Sequence, residues 1–217
     1  MNAEELRART IAAVRRHPSR THRVFRAHMI LWMTSSVAIS LAIFLLAGGL
    51  RAAPRPESLL VGTMAGTLTV AVLAVLVGIH RGRSMLPRPR WQLALLVALV
   101  PAALFVWKVA WSARYPGMMV DWPERPGLRC FLLSLAMGLG PLVSLIRLCR
   151  NSEPVRPGLV GGAMGVAVGA VAWVFLELWC PVAFPRHLLI GHVAPMLLLA
   201  ILGSILGRAT MRLGDSV

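Results

Sequence analysis

Residues 158–179 read GLVGGAMGVAVGAVAWVFLELW and contain a single charged side chain, Glu177. A helix needs roughly 20 apolar residues to cross the hydrocarbon core of a bilayer, so this stretch has the length and composition of a transmembrane helix. Gly161, Gly165 and Gly169 are spaced four apart, which lets helix backbones approach closely in lipid. The stretch therefore predicts a helix that packs tightly against its neighbours inside a membrane.

The composition of the whole chain also indicates a membrane protein. Of its 217 residues, 57% are hydrophobic and 14% are charged, whereas soluble domains carry about 25% charged residues. We predict an all-α fold, a bundle of six transmembrane helices. The predicted spans lie near residues 29–49, 58–79, 91–113, 128–146, 158–179 and 187–207.

The distribution of arginine predicts the orientation of the bundle. Basic residues beside a span are held on the cytoplasmic side, and residues 1–28 contain seven arginines. Along the chain, connecting segments with more arginine alternate with segments that have less. Because six spans bring both termini to the arginine-rich side, both termini are predicted to be cytoplasmic. This places a membrane domain at 29–207 between cytoplasmic tails at 1–28 and 208–217.

The formal net charge of +15 would suggest nucleic-acid binding in a soluble protein. In this chain most of the charge follows from topology and from attraction to anionic membrane lipid. We therefore expect no direct binding of nucleic acid.

Further glycine pairs, Gly62 with Gly66 and Gly203 with Gly207, predict close packing in the second and sixth helices. A compact bundle is favoured over a glycine-lined channel. Such faces serve packing within one chain and between chains equally well, so a homo-oligomer stays open.

Two charged residues fall inside predicted spans, Lys108 and Glu177. Charge in a span is costly and marks a functional candidate. Both lie about one turn from the outer end of a helix, where a lysine can extend to the interface or the two side chains can pair. Because no charge falls near the midplane, the sequence disfavours an ion-coupled transporter.

Two cysteines are predicted to meet at the outer face. Cys130 opens the fourth helix and Cys180 closes the fifth, so the hairpin brings them to the same side. That side is oxidising, which favours a disulfide, although two unrelated interfacial cysteines are equally compatible with the pattern. Cys149 lies at the cytoplasmic end of the fourth helix and should stay reduced.

The candidate histidines near these cysteines are His187 and His192. Residues five apart on an α-helix are about 140° apart around its axis, so the two rings are predicted to point in different directions. A metal or haem site would then need ligands from another helix, with Cys180 as the nearest. The sequence predicts no resident metal and no cofactor.

Residues 2–17 are predicted to form a short amphipathic helix, which Pro18 ends. Acidic residues stand at its N-terminus and basic residues at its C-terminus, as the helix dipole favours. The pattern is typical of a docking element, on lipid or in a protein groove. Its candidate contact residues are Leu6, Ala13, Val14, Arg15 and Arg16.

Several motifs resemble those of one family, the bacterial six-helix transmembrane anti-sigma factors, or NrsF-like negative regulators of extracytoplasmic-function sigma factors. These motifs are 128–131 (LRCF), 178–181 (LWCP), 191–192 (GH) and 202–208 (LGSILGR). A more distant resemblance is to the myxobacterial carotenogenesis repressor CarR. The family resemblance implies a protein of the bacterial inner membrane whose cytoplasmic tail sequesters a sigma factor. It also implies that Cys130 and Cys180 act together as a disulfide or a sensing pair.

The leading hypothesis is therefore an anti-sigma factor without enzymatic activity, which binds an extracytoplasmic-function sigma factor and releases it on a stimulus such as stress. The alternative is a small membrane redox enzyme or transporter. It would use Cys130, Cys180 and His192 at the outer face.

Overall fold

A computed structural model describes residues 22–49, 56–79, 90–115, 127–149 and 156–211, together with Glu5. These five ranges contain six helices and no strand, so the all-α prediction is confirmed. The helices are α1 (His22–Leu46), α2 (Glu57–Ile79), α3 (Arg90–Ser112), α4 (Leu128–Cys149), α5 (Pro157–Trp179) and α6 (Pro185–Thr210).

Each predicted span falls on one of these helices. Three of the helices that the structure describes, α4, α5 and α6, are long and apolar enough to cross a membrane. Within the parts of α1, α2 and α3 whose side chains the structure describes, shorter apolar helical segments lie at Thr34–Leu46, Glu57–Leu73 and Val97–Ser112. The structure thus shows three candidate spans, and the count of six stays a prediction.

Helix α5 lies at the centre of the bundle. It contacts α2, α3, α4 and α6, and its contact with α6 is the most extensive in the bundle. Its residues are mostly small or aliphatic, and most of them are buried. The stretch that predicted the fold is therefore the helix around which the others pack.

Glycine makes the close contact between α5 and α6 possible. A Cβ on Gly161 would overlap the carbonyl oxygen of Gly203, and a Cβ on Gly203 would overlap that of Gly161. A Cβ on Gly207 would likewise overlap the carbonyl oxygen of Pro157. The prediction of a compact, glycine-packed bundle is confirmed at this pair of helices.

Candidate functional site

Four buried side chains converge where α4 begins, α5 ends and α6 begins. Cys130, Cys180, His187 and His192 each offer a ligand atom, and these four atoms all lie within 4.8 Å of one another. The four residues are between 2% and 5% exposed. We call this set the Cys/His cluster.

Two glycines let α4 begin directly against α6. Gly127 has a positive φ of 85°, a conformation that costs glycine little. A Cβ on Gly191 would lie 3.0 Å from the carbonyl oxygen of Gly127 and 3.1 Å from the Cβ of Cys130. The absence of side chains at both positions therefore lets Cys130 reach the histidines of α6.

A π-helical turn at Leu189–Val193 aligns the two histidines. In a π-helix the hydrogen bonds run from residue i to residue i+5, and the N–H of Ala194 donates to the carbonyl of Leu189 in this way. Residues five apart then lie on one face, and the ring centroids of His187 and His192 are 5.6 Å apart. The prediction that these rings point in different directions is wrong because it assumed an unbroken α-helix.

Pro195 gives a physical reason for the π-turn. Proline has no N–H and its ring clashes with the carbonyl four residues earlier, so it disturbs an α-helix there. For Pro195 that carbonyl belongs to Gly191, which lies inside the π-turn. A proline three residues after His192 is thus the sequence signal that could have revealed the alignment.

Within the cluster, Cys180 and His187 are in direct contact. The Sγ of Cys180 lies 3.2 Å from the Nε2 of His187. Cys180 follows the last residue of α5, in the segment that connects α5 to α6. A hydrogen bond with Cys130 is the main reason that the pKa of the Cys180 thiol falls well below its usual value; His187 and His192 act in the same direction, and burial opposes them.

His192 is the least satisfied member of the cluster. Neither its Nδ1 nor its Nε2 has a hydrogen-bond partner among the residues that the structure describes, and the side chain is 2% exposed. The indole of Trp173 packs against the ring, with centroids 5.0 Å apart. His192 therefore offers one ring nitrogen to the cluster, and neither nitrogen has a compensating hydrogen bond among the described residues.

The sequence placed Cys130 and Cys180 at the same end of the bundle, and the structure brings them together in the cluster. No disulfide joins any of the three cysteines, all of which lie in the described ranges. Cys149 is buried at the other end of α4. The cysteine prediction is confirmed for the meeting of the two residues and not for a bond between them.

The two charged residues of the predicted spans form an ion pair beside the cluster. The Nζ of Lys108 donates to the Oε2 of Glu177, and the two residues are 4% and 0% exposed. The Nε1 of Trp173 donates to the Oε1 of Glu177 over 2.9 Å. The pairing alternative is confirmed; extension of Lys108 to an interface is not observed. Trp173 connects this pair to His192.

The candidate contact residues of the N-terminal tail lie outside the described residues. These are Leu6, Ala13, Val14, Arg15 and Arg16. Glu5, nearby in sequence, is helical and exposed. The role of the tail therefore stays a prediction.

A comparison with protein families identifies the chain. The family model "NrsF: Negative regulator of sigma F" matches residues 12–213. No curated protein matches the chain, and no solved structure does. The family match includes every described helix from α1 to α6 and all four residues of the Cys/His cluster. The chain belongs to the NrsF family of negative regulators of sigma F.

Proposed function

We propose that this protein is a membrane-bound anti-sigma factor. It holds an extracytoplasmic-function sigma factor through residues 1–28, releases it on a stimulus, and catalyses no reaction of its own. The observation that carries the proposal is the family match over residues 12–213, because it links all six helices to negative regulation of a sigma factor.

Membrane residence is supported by the surface of the helices. Three helices have the length and hydropathy of spans. Large apolar side chains also point outward from other helices: Leu46 is 88% exposed, Val61 66% and Leu31 62%. Large apolar side chains exposed on so many helices are typical of a protein that contacts lipid or a partner. Six spans with both termini in the cytoplasm would cover this surface with lipid and place the arginine-rich segments inside.

In this proposal the tail binds the sigma factor through an apolar stripe flanked by charge. Leu6, Ala13 and Val14 supply the apolar contact. Arg15 and Arg16 face acidic residues of the partner, which makes association depend on ionic strength. The same arginines are attracted to anionic lipid and keep the tail near the membrane surface.

Release requires that a change at the outer face reaches the cytoplasmic face. Cys130 lies in the first turn of α4 and Cys149 is its last residue, so the helix joins the Cys/His cluster to the basic segment at 150–156. A change in the cluster shifts the packing of α4 against α5, provided that two packings lie close in energy. Cys130 and Cys180 are the residues from which the signal starts.

The tail contact is tested by placing charge on its apolar stripe. Leu6→Asp with Val14→Asp should lower the amount of sigma factor that co-purifies with the protein at least about tenfold, since even one poorly solvated carboxylate costs more than 1.4 kcal/mol. The matched control, Ala8→Asp with Ala12→Asp, introduces the same charge on the opposite face of the predicted helix.

The control should retain the sigma factor, and both variants should accumulate in the membrane at the level of the wild type. Undiminished binding by Leu6→Asp with Val14→Asp would contradict the proposal. Equal loss in both variants would show that charge, and not the stripe, governs the contact.

A further inference from the structure

We infer that the Cys/His cluster is a tetrahedral binding site for a divalent metal ion of the zinc class. Two cysteines and two histidines are a ligand set that zinc favours in four-coordinate sites. Thiolate and imidazole together also suit cobalt, and they disfavour magnesium and calcium, which prefer oxygen. The site would hold its metal whether or not a sigma factor is bound.

The distances in the cluster fit such an ion. Zinc lies about 2.3 Å from sulfur and about 2.0–2.1 Å from nitrogen, so tetrahedral ligand atoms are about 3.3–3.8 Å apart. The four ligand atoms lie within 4.8 Å of one another, and Cys180 Sγ is 3.2 Å from His187 Nε2. Side-chain movements of about one ångström would close the tetrahedron.

His192 gives independent support for a ligand. Both of its ring nitrogens are buried and have no hydrogen-bond partner among the described residues. Buried polar groups are normally hydrogen-bonded, since an unsatisfied one costs about 1–3 kcal/mol. Coordination of a metal by one of these nitrogens removes that cost. The packing of Trp173 against the ring holds it in the cluster.

The charge of the loaded site suits its burial. Two thiols lose their protons on binding, so two thiolates balance the double positive charge of the ion. The neutral imidazoles add no charge. A complex without net charge avoids the large cost of placing an isolated ion among the buried residues at the end of the bundle.

The ligands come from three parts of the chain that other contacts already hold together. Cys130 lies in the first turn of α4, Cys180 follows α5, and the π-turn aligns the two histidines of α6. Gly127 and Gly191 bring α4 and α6 into contact. A bound metal would therefore tie three helices together, whereas a disulfide would tie only α4 to the end of α5.

The test is metal binding to the purified full-length protein in detergent. The protein is reduced and treated with a chelator, which is then removed, and Co²⁺ is added. A tetrahedral site with thiolate ligands gives strong visible cobalt absorption and a charge-transfer band. We expect about one cobalt ion per chain, and displacement of cobalt by Zn²⁺.

Two variants test individual ligands, and a third serves as the control. Cys130→Ser and His192→Gln should each weaken binding at least about a hundredfold, since even outer residues of metal sites change affinity by about 10–100-fold. Cys149→Ser is the matched control, because it removes a buried cysteine at the far end of α4, and it should bind like the wild type. Thermal unfolding of each variant in detergent shows whether it is folded.

Absence of the cobalt bands in the folded wild type would overturn the inference, as would unchanged binding by His192→Gln. If a variant does not fold, X-ray absorption of the zinc-loaded wild type identifies the ligands instead. Two sulfur and two nitrogen ligands would support the site, and a shell of oxygen ligands would contradict it. Sigma-factor retention is measured separately, so failure of the metal site leaves that proposal standing.

Discussion

The contact between α5 and α6, in the C-terminal half of the bundle (α4–α6), and the contact between α2 and α3, in the N-terminal half (α1–α3), use glycine differently. In the C-terminal half, Gly161 of α5 and Gly203 of α6 place backbone against backbone. In the N-terminal half, Gly62 and Gly66 of α2 make room for the indole rings of Trp111 and Trp107, which are stacked 5.5 Å apart on α3. Glycine therefore allows backbone contact between α5 and α6, whereas at Gly62 and Gly66 it makes room for side chains.

The two contacts should therefore respond differently to an added methyl group. A backbone carbonyl cannot rotate away from an added methyl group, whereas an indole ring can shift. The C-terminal half carries the Cys/His cluster, and the N-terminal half follows the tail that we propose to bind the sigma factor. Where the halves meet, polar contacts join them: Lys108 with Glu177, and Ser40 with the carbonyl of Met137.

The largest effect is expected from breaking the ion pair between the halves. Lys108→Met leaves the carboxylate of Glu177 buried without its cation, which costs about 3–5 kcal/mol. The double variant Lys108→Met with Glu177→Gln should recover most of this loss, because glutamine still accepts from Trp173 and carries no charge. The stability of the single and the double variant is measured by unfolding in detergent, which circular dichroism monitors. A single variant as stable as the wild type would show that the pair is not buried as described.

A smaller effect is expected from adding a methyl group between α5 and α6. Gly161→Ala forces the two backbones apart and should cost about 1–3 kcal/mol. Gly140→Ala on α4 is the matched control, because a Cβ there meets nothing within 4 Å; it should be neutral, or stabilising by up to about 1 kcal/mol through helix propensity. If Gly161→Ala and Gly140→Ala were equally stable, the close backbone contact at Gly161 would not contribute to stability.

The same change in the N-terminal half should cost less and should be repairable. Gly62→Ala displaces the indole of Trp111, at a cost near the lower end of the overpacking range, about 1 kcal/mol. Trp111→Leu in the same chain should restore the space and recover stability. If the double variant is no more stable than Gly62→Ala, the contact does not depend on the indole.

The smallest effect concerns a single hydrogen bond between the halves. The Oγ of Ser40 on α1 donates to the carbonyl of Met137 on α4 over 2.9 Å. Ser40→Ala should cost about 0.6 kcal/mol, the average for such bonds in a membrane protein. Thr69→Ala is the control, since Thr69 Oγ1 donates within its own helix to Ala65. The unfolding assay should rank Ser40→Ala below Thr69→Ala in stability; the reverse order would contradict a role in joining the halves.

Much of this arrangement could be predicted from the sequence. Apolar runs of about 20 residues locate the helices because hydropathy and length determine them. The positions of Cys130 and Cys180 at adjacent helix ends bring the two residues together, because a hairpin of two helices returns to the same face. The four-residue spacing of Gly161, Gly165 and Gly169 likewise predicted that this face of α5 contacts another helix.

The alignment of the histidines could not be predicted in the same way. It depends on a change in helical pitch between His187 and His192, and the α-helical period fails across such a turn. The sequence left the pairing of Lys108 with Glu177 as one of two alternatives, because the choice between them depends on how α3 packs against α5. The tail is the opposite case: its pattern suggests a role, and its residues lie outside the described ranges.

The central claim, that the tail holds a sigma factor, is tested most directly by purification from the native host. The full-length protein and a chain lacking residues 1–28 are isolated in mild detergent, and the bound proteins are identified by mass spectrometry. We predict that a sigma factor co-purifies with the full-length protein alone, at a level that falls as salt rises. Retention by the truncated chain would contradict the role of the tail. If neither chain retained a sigma factor while both stayed folded, the anti-sigma account would fail, and a redox enzyme or transporter built on Cys130, Cys180 and His192 would take its place.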